Sequence, residues 1–200
     1  MLARMPRTSN KVYKQAFFLA GHIALDFLNT EWRSALGKED FFETDADVLH
    51  WLRQAKAAPD DLSEVRPSGA LLRAAQALRS VIRTLVVAKK AGKQPDLSDL
   101  NAFLAAAHSH QQLSWTKSKT IVTKTVRAAD TAEQVLAPVS VAAAELLFEG
   151  NFRRVRKCDD PTCVLWFYDR TKAGRRRWCS MASCGNRLKV KTYRGRLKSR

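Results

Sequence analysis

The residues whose types and spacing could do chemistry are four cysteines near the end of the chain. They form two pairs of equal spacing, Cys158-x4-Cys163 and Cys179-x4-Cys184, and fifteen residues separate the pairs. Zn²⁺ takes four tetrahedral ligands, and thiolates from two close-spaced knuckles supply them without a large core. The alternatives are two disulfides or four unrelated buried thiols. Because no segment directs the chain to an oxidising compartment, we expect one structural zinc ion held by all four cysteines.

Arginine and lysine are concentrated around these cysteines. Residues 151–200 contain 16 Lys and Arg against 3 Asp and Glu, whereas residues 1–150 contain 19 against 16. The formal net charge of +16 therefore comes almost entirely from the tail, residues 151–200. This asymmetry is typical of a protein with a polyanionic partner, and it predicts that the tail binds nucleic acid.

Two groups of residues in the tail are the candidate nucleic-acid contacts. One group lies in a loop before the second cysteine pair, and the other lies on one face of a terminal helix predicted over residues 182–197. The first two residues of the second group suit base edges, but they equally suit bonds to carbonyls or thiolates of the zinc knuckle. The predicted contacts are Arg175, Arg176, Arg177, Asn186, Arg187, Lys191, Arg194 and Lys198.

Both ends of the chain carry motifs of known families. The tail resembles the CGNR zinc finger of bacterial proteins, and residues 25–30 resemble the opening of the ABATE domain that precedes this finger. One departure is Val164, where the finger's pattern has glycine. The tail residues that carry the resemblance are Cys158, Cys163, residues 166–169, residues 176–181 and Cys184-Gly185-Asn186-Arg187.

The resemblance covers the whole chain and implies a transcription regulator that binds DNA. It favours duplex DNA as the partner, with RNA or the ribosome as the alternative. Solvent-exposed aromatic residues would favour RNA or single strands, because bases stack on them. The tail has candidates in Trp166, Phe167, Tyr168 and Trp178, but these are also the residues available to form its small core.

The elements that must position the zinc module are mostly helical. Apolar periodicity predicts helices that begin near Thr44, at residue 69, near Pro95 and at Thr131, the last interrupted by Pro138. Strand formers over residues 113–127 predict a β-hairpin. The predicted fold class is α+β, with a mostly helical domain over residues 1–150 and a small treble-clef-like zinc module over residues 151–200. Loss of one cysteine would then loosen the tail and leave the N-terminal helices folded.

Three details of packing are also predicted. Residues 1–14 are expected to form a loose basic arm. The arginines of the helix over residues 69–90, which are Arg73, Arg79 and Arg83, are assigned to its solvated face. An apolar stripe on the terminal helix, formed by Val190, Tyr193 and Leu197, is expected to pack on the zinc module.

Four polar side chains lie within an apolar block near the N-terminus: His22, Asp26, Asn29 and Thr30. One interpretation is that they line a pocket for a small-molecule effector. The other, which we favour, is that they cap and hydrogen-bond a buried turn, since buried polar groups are usually satisfied within the protein. The role predicted for the N-terminal domain is to sense a ligand or to dimerise. The sequence does not determine the oligomeric state, and a homodimer is one of the alternatives.

The sequence contains no motif of a known catalytic site. Four cysteine ligands would close the metal's coordination, and there is no phosphate-binding glycine loop, nucleophile elbow or helical His-Glu-x-x-His motif. We therefore predict no enzymatic activity, with an enzyme in the N-terminal domain as the remaining alternative. His22 and Asp26 interrupt the apolar run near the N-terminus, and no run reaches the length of a membrane span. These features predict a cytoplasmic protein without a membrane partner.

Overall fold

The computed structural model describes residues 17–34, 37–59 and 68–198, so the predicted basic arm over residues 1–14 lies outside the described residues. Within these ranges the chain forms α-helices, three two-stranded antiparallel sheets and one π-helical turn. No helix among the described residues is long and apolar enough to cross a membrane. In chain order the elements are α1 (Ile23–Leu28), β1 (Glu31–Ser34), β2 (Gly37–Asp40), α2 (Asp45–Gln54), α3 (Ala70–Lys90), α4 (Ser98–Ala105), β3 (Ser109–Trp115), β4 (Ile121–Arg127), α5 (Ala132–Glu149), β5 (Val155–Lys157), β6 (Trp166–Tyr168), the π-turn (Met181–Gly185) and α6 (Asn186–Lys198).

Side-chain caps fix the beginnings of α2 and α3. At α2, Thr44 and Asp47 form a capping box, in which each side chain accepts a hydrogen bond from the other's backbone N–H. The start of α3 is capped from α2, because the Asp45 carboxylate accepts hydrogen bonds from the backbone N–H groups of Ser68, Gly69 and Leu72. These bonds lower the pKa of Asp45 although burial opposes them. The two helices are therefore joined at their N-termini.

The predicted helix with an internal proline is one continuous element. Thr131 and Gln134 form a capping box at the start of α5, and the helix runs through Pro138 to Glu149 without dividing. Gly150 ends it, and a Cβ at this position would collide with the backbone oxygen of Leu146. A side chain is therefore excluded where α5 gives way to the tail.

Helix α1 occupies the centre of the molecule. Five of its six residues are buried, and it packs against α3, α5 and β6. The hydrophobic core around it is continuous with that of the tail, because it includes Phe167 of β6 together with Cys158, Cys179 and Cys184. The N-terminal helices and the zinc module thus share one core.

One predicted surface arginine is instead buried. Arg79 is 4 % exposed. Its guanidinium donates hydrogen bonds to both carboxylate oxygens of Asp40 and to Thr30 Oγ1, the last at 2.8 Å. Asp40 lies on β2, which pairs with β1 in a hairpin that apolar periodicity did not predict. Next to Arg79, Arg83 forms an ion pair with Glu31 of the same hairpin at 2.7 Å. The assignment of Arg79 to a solvated face was wrong, and the carboxylate that pairs with it lies on this unpredicted element.

The terminal helix also differs from expectation. Residues 181–185 form a π-helical turn, and the α-helix begins only at Asn186. Val190, Tyr193 and Leu197, which were expected to pack on the zinc module, are all exposed. Helix α6 contacts mainly the π-turn from which it starts, so its basic and apolar faces are both accessible.

Candidate metal centre and nucleic-acid interface

The first zinc knuckle is the connection between β5 and β6. Cys158 follows β5, and its backbone N–H donates to Leu165 O at 2.9 Å. The Cys163 N–H donates to Asp160 O at 2.9 Å, which closes the turn. The carboxylate of Asp160 accepts from both the N–H and the hydroxyl of Thr162 at 3.0 and 2.7 Å. The β-hairpin and this turn together point both cysteines inward.

The second knuckle leads directly into α6. Ser180 caps the π-turn, because its hydroxyl accepts from the Ser183 N–H at 3.3 Å. Cys184 and Gly185 are the last two residues of this turn, and a Cβ at Gly185 would lie 2.5 Å from Met181 Sδ. The last cysteine is therefore at the N-terminal end of α6, where the partial positive charge of the helix favours thiolate.

The four cysteine sulfurs converge on one point. All four Sγ atoms lie within 4.8 Å of one another, with 3.8 Å between Cys163 and Cys179 and 3.5 Å between Cys179 and Cys184. Zn–S bonds of about 2.3 Å in a tetrahedron place sulfurs about 3.8 Å apart, whereas a disulfide joins them at about 2.05 Å. The cysteines are free of disulfides, and the cluster fits one structural zinc ion.

The protonation of the sulfurs shows why a cation suits this cluster. A hydrogen bond from Cys179 lowers the pKa of Cys163 to about 5. Burial raises the pKa of Cys184 to about 12, and the same hydrogen bond to Cys163 raises the pKa of Cys179. One thiolate is therefore stabilised at the expense of its neighbours. Zn²⁺ would supply the positive charge that lets all four ionise.

Groups outside the cluster donate to its sulfurs. The Cys179 N–H donates to Cys158 Sγ at 3.4 Å, and Arg187 Nη2 donates to Cys184 Sγ at 3.7 Å. Arg187 also donates to Thr162 Oγ1 at 3.3 Å and lies 3.6 Å from Asp160 Oδ2. Such second contacts orient metal ligands. Arg187 therefore connects the start of α6 to the first knuckle.

Arg176, another predicted contact, is directed into the protein. Its Nε donates to Trp178 O at 3.0 Å, and Nη2 donates to Leu19 O at 2.8 Å and also to Cys179 O. The guanidinium lies over the Phe167 ring, 4.3 Å from its centroid. This arginine fastens the second knuckle to the N-terminal segment.

The other predicted contacts of the tail face solvent. Arg175 and Arg177 are exposed in the loop before Cys179, and Arg177 forms an ion pair with Asp159 at 2.8 Å. Along α6 one face lines a shallow depression of about 640 Å³. The predicted contacts on that face are Asn186, Arg187, Lys191 and Arg194. The side chain of Lys198 lies outside the described residues.

The four polar residues near the N-terminus all make hydrogen bonds within the protein. His22 caps α1 by accepting from the Ala24 N–H, and Thr30 Oγ1 donates to Phe27 O. Asp26 Oδ1 accepts from the Ala20 N–H, and Asn29 bonds the backbone of Trp166. This geometry agrees with the structural interpretation, and the effector pocket stays a prediction.

Two of these residues have shifted pKa values. Burial raises the pKa of Asp26 to about 6, against the opposing effects of its backbone hydrogen bonds and of the nearby Arg176 charge. Burial also lowers the pKa of His22, and the neighbouring Arg170 adds to the effect. The charge that acts on Asp26 is that of Arg176, whose guanidinium already donates to backbone carbonyls. The pair therefore has a structural role in the fold.

Two buried aspartates of the tail were missed by sequence reasoning. Asp169 is fully buried; it accepts from the N–H and hydroxyl of Thr171 and from the Arg176 N–H. Asp160 makes the same pair of bonds to Thr162. The repeated Asp-x-Thr spacing, residues 160–162 and 169–171, was the available signal, because Asp side chains bond the backbone two residues on.

Some of the tail's charge is also used internally. Arg154 donates to the carbonyls of Asp169 and Thr171, and Arg156 donates to the carbonyl of Arg176. These side chains hold the loop over residues 169–177 against β5. The count of basic residues in the tail is therefore larger than the number of cations directed at solvent.

Comparison with protein families gives two matches. Residues 21–150 match the ABATE family model, described as "Putative stress-induced transcription regulator". Residues 154–197 match the model of the CGNR zinc finger. A search of curated proteins found no match.

Proposed function

Because the chain belongs to the ABATE family over residues 21–150 and carries a CGNR zinc finger over residues 154–197, we propose that it is a zinc-containing cytoplasmic regulator that binds duplex DNA. The four cysteines are the zinc ligands. The tail, residues 151–200, makes the DNA contact, and the domain over residues 1–150 carries regulation or dimerisation. Both matched families are those of a regulator and a zinc finger rather than of an enzyme.

The observation that carries this proposal is the exposed basic face of α6. The helix starts at the zinc knuckle and presents Asn186, Lys191 and Arg194 on one side. The side chains of Lys191 and Arg194 make no ion pair or hydrogen bond with any residue that the structure describes. A helix fixed at its N-terminus and free along its length can enter the major groove, with its first residues at the base edges.

The contacts of the tail divide into positioning and reading roles. Arg176 is directed into the protein, and Arg187, although exposed, donates to Cys184 Sγ and Thr162 Oγ1, so we assign both to holding the knuckles in place. Asn186 is exposed at the start of α6; its Nδ2 donates to Ala182 O at 3.3 Å, and its second N–H and its Oδ1 are left to pair with adenine. The remaining cations, Arg175, Arg177, Lys191 and Arg194, are assigned to phosphates, which supply affinity without sequence preference.

The four aromatic residues named above as stacking candidates lie in or against the core, which favours duplex DNA over RNA, although Tyr193 on α6 is exposed. Phe167 is fully buried, and Trp166, Tyr168 and Trp178 pack against the core. They are therefore core residues, and these four provide no platform on which unpaired bases could stack. An RNA or ribosomal partner stays the second candidate because the basic surface alone does not distinguish the two polyanions.

A salt titration of the full-length, zinc-loaded chain tests the proposal. If about six phosphates are contacted, a plot of log Kd for duplex DNA against the logarithm of the salt concentration should have a slope near 5. The double variant Lys191→Gln/Arg194→Gln should reduce that slope by about 2 and weaken binding to all sequences. The matched control, Arg53→Gln/Lys93→Gln, removes two exposed cations elsewhere and should leave the slope unchanged.

Three results would contradict the proposal. The wild-type chain could fail to bind at low salt, or bind tightly without salt dependence. Equal reduction by the tail variant and by its control would show that general charge, rather than α6, is responsible. A clear preference for structured RNA in a parallel titration would move the protein to the second candidate.

A further inference from the structure

The hairpin formed by β3 and β4 is an exposed arm of the molecule. Its seven residue pairs run from Ser109↔Arg127 at the base to Trp115↔Ile121 near the turn. At the base it borders α5 across a cleft of about 280 Å³. Every residue of β3 is exposed, and β4 is exposed over its first four residues. We call this element, Ser109–Arg127, the β-arm.

The outer part of the β-arm has an uncovered apolar face. Trp115 pairs with Ile121, and Leu113 lies two residues earlier on the same face, since side chains alternate along a strand. Their exposed fractions are 71 % for Trp115, 68 % for Leu113 and 53 % for Ile121. An isolated two-stranded hairpin is marginally stable in water unless a third layer covers it. We therefore interpret this apolar face as a surface that contacts a binding partner.

The charge of the β-arm identifies the kind of partner. Between Asp99 and Asp130 the sequence contains no acidic residue, and it contains four cations, Lys117, Lys119, Lys124 and Arg127. The arm's other side chains are rich in hydroxyls and amides, including Thr116, Ser118 and Gln112. Lysine, threonine, serine and glutamine are the residues that contact phosphates and sugars.

We propose that the β-arm is a second nucleic-acid contact, which lies in the minor groove of the duplex bound by α6. Lys117 and Lys119 at the turn contact phosphates on either side of the groove. Trp115 and Leu113 contact the sugars and base edges, because proteins that bind the minor groove often insert apolar side chains there. The inference rests on the proposed function, because it assumes that the tail binds the same DNA.

A second copy of the chain is the other occupant considered for this face. Two arms packed together would join eight cations and no carboxylate. Like charges at such an interface would oppose association, whereas DNA offers the counter-charge of its phosphates and the apolar surface of the sugars that line the minor groove. The charge of the arm therefore favours DNA over self-association.

Two β-arm variants of the full-length, zinc-loaded chain test the inference through different readouts. Lys117→Gln/Lys119→Gln should lower the salt slope of duplex binding by about 2. Trp115→Ala should weaken binding by roughly tenfold with the slope unchanged, because an apolar contact releases no counterions. Both substitutions fall on exposed side chains, and unchanged thermal unfolding of each variant confirms that it folds. Arg53→Gln/Lys93→Gln again serves as the charge-matched control.

The outcomes separate this inference from the proposed function. If α6 variants reduce DNA binding and neither β-arm variant does, the inference is overturned and the proposed function stands. If the wild-type chain binds no DNA, both are overturned. If Trp115→Ala changes a dimer into a monomer by light scattering while Lys117→Gln/Lys119→Gln keeps the full salt slope, the β-arm is a contact between copies and the inference is wrong.

Discussion

Asn29 and Trp166 exchange two hydrogen bonds across a sequence separation of 137 residues. The side-chain amide of Asn29 donates to Trp166 O at 2.9 Å, and the Trp166 N–H donates to Asn29 Oδ1 at 2.9 Å. The side chain thus behaves like the backbone of a further strand beside β6. This pair joins the central helix α1 to the zinc module within the shared core.

The first prediction concerns this pair. Asn29 is 1 % exposed, so Asn29→Ala would leave two backbone groups of β6 without partners. The free energy of unfolding should fall by about 2–4 kcal/mol. Urea denaturation of the zinc-loaded chain measures it. Asn101→Ala, at an exposed position on α4, is the matched control and should change stability by less than about 0.5 kcal/mol. Equal effects of the two variants would contradict the structural role of Asn29.

The sequence predicted the parts of this protein that depend on local pattern. Cysteine spacing indicated the zinc site, and capping residues such as Thr44 and Thr131 marked where helices begin. Asn29 shows what could not be predicted: it was one of four polar residues in an apolar block, and its partner lies on another element. Local pattern carries no information about which distant groups meet, so hydrogen bonds between elements emerge only from the assembled fold.

Arg79 illustrates the same limit for charged residues. On a helical wheel it lies at the edge of the apolar stripe, between Leu72 and Val86, so its position allowed burial, but the sequence identified no partner for its charge. Its partners, Asp40 and Thr30, come from the hairpin and from the end of α1. The hairpin strands are short and polar, so neither alternation nor hydrophobicity signalled them.

The second prediction follows from the burial of that arginine. Arg79→Met would remove the only guanidinium that the described residues place on Asp40 and would leave the carboxylate partly buried without its partner. We expect a loss of about 3–5 kcal/mol in the free energy of unfolding. Arg79→Lys should recover only part of the loss, since an ammonium group cannot grip both oxygens at once.

Thermal and chemical denaturation measure the effect of Arg79. The control is Arg53→Met at an exposed position of α2, which removes a charge without breaking a buried pair. If Arg79→Met lowers the free energy of unfolding by less than about 1 kcal/mol, or if Arg79→Lys restores the full wild-type stability, the paired bonds from Arg79 to Asp40 contribute little to stability.

The third prediction is a pH dependence from Asp26. Burial raises the pKa of this carboxyl to about 6 in the folded state, against an ordinary value of 3.8. The folded state therefore binds the proton more tightly, so the stability from this group is fully present below about pH 4 and is lost as pH rises through 6. Two pKa units correspond to about 3 kcal/mol.

Asp26→Asn isolates this effect. Asparagine keeps an acceptor for the Ala20 N–H and never ionises. At pH 7.5 the variant should have a higher free energy of unfolding than the wild type, although the loss of the attraction between Asp26 and Arg176 reduces this difference. The difference in stability should become smaller toward pH 5. Comparing the two chains at each pH cancels the effect of acid on zinc binding, which both share. An advantage that is constant across this range would refute the shifted pKa.

The last prediction is that zinc stabilises the whole chain and not the tail alone. Purified protein should contain about one zinc per chain, and Cys184→Ser or a strong chelator should remove it. The sequence suggested that the N-terminal helices would stay folded, but Cys158, Cys179 and Cys184 lie in the same core as α1. Loss of zinc should therefore reduce hydrogen-exchange protection in α1 and β6 as well as at the knuckles.

Helix α4 provides the internal reference for that measurement. It packs against α3 and α5, and its main contacts do not include the zinc module, so its protection should fall least. Met181→Ala, at an exposed side chain between the second pair of cysteines, is the variant control and should retain zinc. If α1 keeps full protection after zinc is removed while the knuckles lose theirs, the two regions fold independently. If α1 and β6 lose protection together with the knuckles, the Asn29–Trp166 pair and the surrounding core transmit the stability of the metal site to the N-terminal helices.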